Sequence, residues 1–139
     1  MKSVIVDTGV IVGFLDEKDD AHQICVEFFA AYSGILILPE TVFAEVCGML
    51  RKDPDLEIDF VNAVAAGSFK IESFKPGDTR RISELVTQYR GFPLGGVDAS
   101  IIAISERLKI NEIATIDYRH FRAVKPNHVK AFRLLPADY

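Results

Sequence analysis

The chain has 139 residues, of which 49% are hydrophobic and 26% are charged, so its composition suits one globular domain with a buried core. This apolar content excludes a disordered chain, and the sequence contains no internal repeat. The formal net charge of −4 argues against a general polyanion-binding protein. We therefore predict a single domain over residues 1–139.

Charge is unevenly distributed along the chain. Residues 1–106 carry 9 Lys and Arg against 17 Asp and Glu, whereas residues 107–139 carry 7 against 3. The acidic portion contains the candidate functional residues, and the basic portion could bind a negatively charged ligand. Simple solvation of the C-terminal segment by its Lys and Arg residues explains the same pattern equally well.

Neither a membrane segment nor a secretory leader is predicted. The apolar run over residues 4–15 is interrupted by Asp7, is too short to span a bilayer, and is not followed by a small-residue cleavage site. We expect a cytoplasmic protein without a membrane partner. Cys25 and Cys47 fall on apolar helix faces, where buried, reduced thiols are expected rather than a disulfide or a metal site.

The first half of the chain alternates apolar strands with amphipathic helices. The β-branched residues 4–6 predict a buried strand that ends at Asp7. Asp20 is expected to cap a later helix that Gly34 ends. The predicted inner face of that helix comprises Ile24, Phe28 and Ala31. The other elements expected in this half are a helix over residues 10–15, a strand over residues 35–38 and a helix over residues 40–52.

The second half continues the alternation. The sequence Asp53-Pro54 predicts the start of a helix that stops at Gly67. A loop rich in glycine over residues 90–97 precedes a helix that begins at Asp98. The predicted inner face of the helix after Pro54 comprises Ile58, Val61 and Val64. The other expected elements are strands over residues 69–74, 112–116 and 131–135, a helix over residues 78–89, and a short connection over residues 117–130.

This alternation is typical of α/β proteins. We predict a three-layer α/β/α sandwich with a mostly parallel central sheet. In such sheets, functional sites form beyond the carboxyl ends of the strands, where the loops converge and helix N-termini point into the crevice. Acids at those ends are therefore the first candidates for function.

Four acids occupy such positions or face the sheet. Asp7 and Asp117 each follow a strand directly. Asp98 shares the sheet-facing side of its helix with apolar residues. Glu45 shares a helix face with Val42 and Met49, where a solvated Glu is not expected.

Each acid also has a purely structural explanation. Asp7 and Asp98 could be ordinary helix N-caps. Asp117 could cap the turn that follows it, and Glu45 could pair with a buried Arg. These alternatives require four unrelated explanations, whereas one acidic cluster at one edge of the sheet requires a single explanation.

An acidic cluster of this kind needs compensating charge. Two carboxylates about 4 Å apart repel each other by about 4 kcal/mol at an effective dielectric near 20, so four of them must bind a cation or share protons. Oxygen ligands favour Mg²⁺ or Mn²⁺ over zinc. A carboxylate-held Mg²⁺ suits phosphoryl-group chemistry, in which the metal activates water and neutralises charge on the scissile phosphate.

The chain resembles PIN-domain ribonucleases and, more narrowly, VapC-like toxins of toxin–antitoxin systems. The matching pieces, which extend over essentially the whole chain, are Val-Asp-Thr at residues 6–8, Glu45, Val-Asp-Ala-Ser-Ile-Ile-Ala at residues 97–103, Thr-Ile-Asp at residues 115–117, and a C-terminal stretch over residues 117–136.

This resemblance implies Mg²⁺-dependent endonucleolytic cleavage of RNA, with Mn²⁺ as an alternative metal. It also implies a homodimer that a small antitoxin protein inhibits. The implied catalytic residues are Asp7, Glu45, Asp98 and Asp117. Within that set, Asp7 and Asp98 are the expected metal ligands, and Thr8 and Thr115 are expected to support the carboxylates by hydrogen bonds.

Three polar residues that follow Asp117 could contact RNA phosphates at the mouth of the site. They are Arg119, His120 and Arg122, for which packing or surface roles are equally open. A general-acid role for His120 is much less favoured. A non-catalytic module that binds RNA or protein is an alternative to the nuclease. A phosphatase-like phosphotransferase is less favoured, because that chemistry needs a second acid two residues after Asp7, where this chain has Gly9.

Overall fold

The computed structural model describes residues 2–139, which form five strands and seven helices. The strands are β1 (Ser3–Val6), β2 (Ile35–Pro39), β3 (Lys70–Glu72), β4 (Glu112–Ala114) and β5 (Arg133–Leu135). The helices are α1 (Thr8–Leu15), α2 (His22–Ala31), α3 (Glu40–Met49), α4 (Pro54–Ala65), α5 (Asp78–Gln88), α6 (Gly96–Leu108) and α7 (Tyr118–Ala123).

All five strands belong to one sheet of order β3-β2-β1-β4-β5, and all four pairings are parallel. The chain leaves β1 in one direction to build β2 and β3, then returns to build β4 and β5 on the other side. Because crossovers between parallel strands are right-handed, helices α1 to α4 cover one face of the sheet and α5 to α7 the other. The predicted α/β/α sandwich with a parallel sheet is confirmed.

Strand β1 lies at the centre of the sheet and of the core. Its residues Val4, Ile5 and Val6 are fully buried, as expected of a central parallel strand covered by helices on both faces. Because β1 pairs with both β2 and β4, the chain that follows it emerges in the middle of the carboxyl edge. Asp7, the next residue after β1, therefore lies in the middle of this edge.

Helix α2 differs from its prediction in cap and orientation. The N-cap is Ala21, not Asp20, and no side chain caps the helix. Asp19 Oδ1 accepts a hydrogen bond from the Ala21 amide at 2.9 Å in the turn that precedes it. Ile24 is 42% exposed and Ala31 is exposed, so Phe28 is the one predicted inner residue that is buried. The buried face comprises Cys25, Phe28 and Tyr32.

Helix α4 begins as predicted, with Pro54 in its first turn and Asp53 Oδ1 accepting a hydrogen bond from the Leu56 amide. Its inner face was predicted incorrectly at two of three residues, since Val64 does pack against the core. Ile58 and Val61 are 54% and 39% exposed, whereas Phe60 is buried.

Two elements near the candidate acids also differ from expectation. Helix α6 begins at Gly96 with Gly95 as its N-cap, so Asp98 lies in the first turn and does not cap the helix. The connection after Asp117 contains α7, whose Phe121 is fully buried in the core.

Both cysteines are free, Cys25 buried and Cys47 partly buried. Burial raises the pKa of the Cys25 thiol to about 11, which keeps it protonated and unreactive. Within residues 2–139, no helix is both long and apolar enough to cross a bilayer.

An ion-pair network fastens the α5–α6 layer to the edge of the sheet. The Arg107 guanidinium donates to Asp78 through Nε and Nη2, both at 3.0 Å, and to Glu72 through Nη1 at 2.8 Å. Asp78 is only 4% exposed, and these hydrogen bonds hold the pKa of its carboxyl below the usual value despite the opposing effect of burial. The network therefore requires Arg107 to balance a buried charge.

We expect Arg107→Met to lower the free energy of unfolding by about 3 kcal/mol at pH 7, because it leaves Asp78 buried without its partner. Urea denaturation measures this loss. Arg51→Met is the matched control, since Arg51 is largely exposed and lies 3.6 Å from Glu57, and it should change stability by less than about 1 kcal/mol.

The same variant also has a pH signature. Because the folded-state pKa of Asp78 is depressed, the stabilisation is present above the unfolded-state pKa near 4 and is lost as the pH falls through the lower folded-state value. The difference between parent and Arg107→Met should therefore narrow below about pH 4. A difference that stays constant down to pH 3 would contradict this account.

Candidate active site

The four acids predicted from the sequence line a single pocket at the carboxyl edge of the sheet. The pocket has a volume of about 310 Å³. Asp7 follows β1, Glu45 projects from α3, Asp98 from the first turn of α6, and Asp117 precedes α7. The lining also includes Thr8, Gly9, Met49 and His120.

Asp7 is the buried centre of this pocket, with only 7% of its surface exposed. It caps α1, because Oδ1 accepts a hydrogen bond from the Thr8 amide at 2.8 Å. Its other oxygen, Oδ2, accepts a hydrogen bond from the Thr115 hydroxyl at 2.8 Å. The helix cap is therefore present, and a further contact aims the carboxylate at the pocket.

The pKa of Asp7 is raised to about 6, from an ordinary value of 3.8. Burial is the main cause, and the nearby charges of Asp98 and Glu45 add to it, whereas the hydrogen bonds from Thr115 and Thr8 oppose it. An elevated pKa shows that the negative charge of this carboxylate is incompletely balanced.

Hydrogen bonds tie the site to the sheet. The Asp7 amide donates to the Ala114 carbonyl oxygen at 2.9 Å, and the Thr115 amide donates to the Leu135 carbonyl oxygen at 2.9 Å. The Thr115 hydroxyl also accepts a hydrogen bond from the Asp117 amide at 3.0 Å. Thr115 thus links two of the acids through one fully buried side chain.

Glu45 is held by the first residue of α1. The Thr8 hydroxyl donates to Glu45 Oε1 at 2.5 Å. Glu45 is exposed, and its neighbour Met49 is 55% exposed, so the expected burial of this helix face is wrong at both residues, whereas Val42 is buried. No Arg pairs with Glu45 in the part of the chain that the structure describes.

His120 lies between the two remaining acids. Its Nδ1 is 3.0 Å from Asp98 Oδ2 and 3.0 Å from Asp117 Oδ2, with hydrogen-bond geometry to neither. Burial raises the pKa of Asp98; His120 opposes this effect, and Asp117 and Glu45 add to it. From the sequence, we expected His120 to contact RNA. Its position inside the acidic cluster could not be predicted from the spacing of residues along the chain.

The two arginines proposed for RNA contact are placed differently. Arg119 is exposed on α7 and forms no ion pair with any residue in 2–139. Arg122 donates through Nη2 to Asp138 Oδ1 at 2.7 Å, and its guanidinium lies over the Tyr118 ring. Arg119 is therefore free to meet a ligand, whereas Arg122 already has a partner.

Gly9 allows the close packing that this arrangement needs. A Cβ atom at position 9 would lie 3.0 Å from Ile116 Cγ1, in the segment between Thr115 and Asp117. A larger residue would require the Ile116 side chain to shift by a few tenths of an ångström. Gly9 thus has a packing role that its sequence position alone did not indicate.

The chemistry of these side chains fits a hard divalent cation. They offer carboxylate oxygens, and the charge of the buried Asp7 is left unbalanced by any Lys or Arg in the described ion pairs. In the conformation described for residues 2–139, no three acid, His or Cys side chains are arranged as ligands of one ion. The carboxylate oxygens therefore suit a hard divalent metal ion in kind, and this conformation does not assemble them into a complete ligand set.

One curated relative is similar in sequence to this chain over almost its whole length. It is Ribonuclease VapC26 of Mycobacterium tuberculosis (strain ATCC 25618 / H37Rv), which is 24% identical over 135 residues, covering 96% of this chain and 100% of the relative.

Solved structures share the fold at low sequence identity. The Mycobacterium tuberculosis toxin VapC20, described as cleaving the Sarcin-Ricin loop, matches with a TM-score of 0.80 and 16% identity, over 91% of this chain and 98% of that one. A toxin–antitoxin complex from Klebsiella pneumoniae matches with a TM-score of 0.70 and 17% identity, over 87% of this chain and 92% of that one.

The family model described as PIN domain matches residues 4–126, a span that contains all but the first residue of β1, all four acids of the pocket and the whole of α7. Because this match covers most of the 139 residues, this chain belongs to the PIN-domain family.

Proposed function

We propose that this protein is a Mg²⁺-dependent endoribonuclease and the toxin component of a toxin–antitoxin pair. The observation that carries the proposal is the pocket itself, where three acids surround the buried carboxylate of Asp7, whose charge is incompletely balanced. The relatives support it, because they are a VapC ribonuclease and an RNA-cleaving VapC toxin.

In this proposal, Asp7 and Asp98 hold the metal ion, since both are less exposed than Glu45 and Asp117 and burial raises the pKa of each. When bound, the ion would neutralise charge on the scissile phosphate and activate water for its hydrolysis. Mn²⁺ can replace Mg²⁺, because both favour oxygen ligands.

The other polar residues orient the carboxylates, accept a proton or bind a phosphate. Thr115 fixes the rotamer of Asp7, and Thr8 holds Glu45 at the rim of the pocket. Glu45 and Asp117 are the acids best placed to accept a proton from the attacking water, since both are exposed to solvent. Arg119, on the exposed face of α7, would meet a substrate phosphate.

A small antitoxin protein and a second copy of the chain are the proposed partners. The matched Klebsiella pneumoniae structure is a toxin–antitoxin complex. This chain also presents a groove of about 240 Å³ with an almost wholly apolar lining from α1, α2 and α4, including Phe14, which is 40% exposed. This groove is the surface that we assign to one of these partners.

Asp7→Asn and Asp98→Asn should each reduce Mg²⁺-dependent RNA cleavage by at least about 100-fold, since each removes a ligand charge. Cleavage of single-stranded RNA in Mg²⁺ and in chelator measures the effect, and expression should no longer inhibit growth. Asp59→Asn, an exposed acid on α4, is the matched control and should cut like the parent.

The non-catalytic alternative predicts the opposite result. If the parent binds RNA but does not cut it in Mg²⁺ or Mn²⁺, or if both Asn variants cut as well as the parent does, the catalytic assignment is wrong. The phosphatase-like alternative is tested in the same samples by hydrolysis of a phosphate monoester.

Stability in chelator should depend on pH through Asp7. The folded-state pKa near 6 exceeds the unfolded value of 3.8, so ionisation of Asp7 opposes folding as the pH rises from about 4 to about 6. A shift of about two units corresponds to about 3 kcal/mol. Asp7→Asn retains an acceptor for Thr8 and a donor for Thr115, so in chelator at pH 7.5 it should unfold at the same or a higher temperature than the parent.

Mg²⁺ should reverse the order of the two unfolding temperatures. Mg²⁺ at pH 7.5 should raise the unfolding temperature of the parent and leave Asp7→Asn nearly unchanged, because the variant lacks the charge that holds the ion. Thermal unfolding by circular dichroism in chelator and in Mg²⁺ measures both effects. Equal stabilisation of the two proteins would remove Asp7 from the metal site.

A further inference from the structure

A second cavity is related to the acidic pocket by one contact, between its lining residue Phe92 and His120 of that pocket. It has a volume of about 350 Å³ and is formed by the loop between α5 and α6 together with the end of α5. Its lining comprises Val86, Arg90, Phe92, Pro93, Leu94 and Gly95. The loop runs directly into the first turn of α6, which carries Asp98.

Two side chains connect this cavity to the acids. The Phe92 ring meets the His120 ring edge-to-face, with centroids 5.8 Å apart. His120 Nδ1 in turn lies 3.0 Å from both Asp98 and Asp117. A substrate whose phosphate lies at the acids therefore has its neighbouring nucleotide within reach of this cavity.

We propose that this cavity is a nucleobase subsite that receives a base next to the scissile phosphate. The inference rests on the proposed ribonuclease function. The flat Phe92 ring and the apolar Pro93, Val86 and Leu94 suit the π-face of a base. The volume lies at the lower end of ligand pockets, which fits one base rather than a folded partner.

Charge around the cavity favours a polyanionic chain. Residues 85–97 contain no Asp or Glu, although they lie within the acidic portion of the sequence. Arg90 is exposed and forms none of the ion pairs found among residues 2–139. Arg90 is therefore available for the phosphate that precedes or follows the bound base.

The backbone at the rim is also open to a ligand. A Cβ atom added at Gly91, Gly95 or Gly96 would meet no heavy atom within 4 Å, and none of these residues has positive φ. Gly95 lines the cavity, so a larger side chain at this position would occupy the space without disturbing the core.

The first experiment maps cleavage ends on a long unstructured RNA of mixed sequence, cut by the parent, Phe92→Leu and Gly95→Val. The parent should show a base preference at one position beside the cut. Both variants should reduce that preference by about tenfold at that position alone, because stacking is lost in one and blocked in the other. Gly95→Val does not touch His120, but the Gly95 amide lowers the pKa of Asp98 through a backbone hydrogen bond. The preference is therefore measured as a ratio between cleavage ends within each sample, which a uniform effect on the acids leaves unchanged.

The second experiment measures binding of single-stranded RNA in the Asp7→Asn background, which leaves the RNA intact. Arg90→Gln should make the slope of log K against log salt shallower by about 0.7, the value for one phosphate contact on a single strand. Arg80→Gln removes the same charge from an exposed position in the first turn of α5 and should leave the slope unchanged.

The outcomes separate the two proposals. A parent that neither cuts nor binds RNA overturns the ribonuclease and the subsite together. A parent that cuts without base preference beside the cut, or folded Phe92→Leu and Gly95→Val variants that keep the parental cleavage profile, overturns the subsite alone. If Arg90→Gln leaves the slope of log K against log salt unchanged, Arg90 is not part of the subsite.

Discussion

The structure depends on placing a carboxylate where water hardly reaches it. Asp7 is held at the end of the central strand, between helices on both faces, and two hydrogen bonds are too few to offset the loss of solvent. Its elevated pKa expresses this deficit. A protein rarely keeps such a group unless a ligand completes its environment, so the instability at Asp7 and the proposed affinity for a cation have one cause.

Topology explains how the other acids reach the same point. The reversal of the chain between β3 and β4 places β1 at the centre and brings β4 beside it, so Asp7 and Asp117 emerge from adjacent strands. Glu45 and Asp98 arrive from helices on opposite faces of the sheet. The site therefore forms only when both helical layers are packed on the sheet.

Much of this arrangement could be predicted from the sequence, because alternating strands and helices leave few topologies and because parallel strands end at a common edge. The orientation of two helices could not. In α4, Ile58 and Val61 compete with Phe60 for the core, and apolar spacing alone does not distinguish two adjacent stripes. Helix α2 shows the same ambiguity, because Phe28 belongs both to the predicted inner face and to the buried face in the structure. The contact of His120 with Asp98 joins residues 22 apart in the chain, for which sequence spacing carries no signal.

The backbone hydrogen bonds of Asp7 and Thr115 have a consequence for motion. Both amides extend the hydrogen bonding of the sheet by one residue beyond β1 and β4, through Ala114 and Leu135, so their exchange with solvent should report opening of this edge of the sheet. The loop that carries Phe92 lies outside the strands, and its backbone hydrogen bonds are local, from the Phe92 amide to Tyr89 and from the Leu94 amide to Phe92. Chemistry and base recognition would thus be divided between residues anchored in the sheet and residues anchored in a loop.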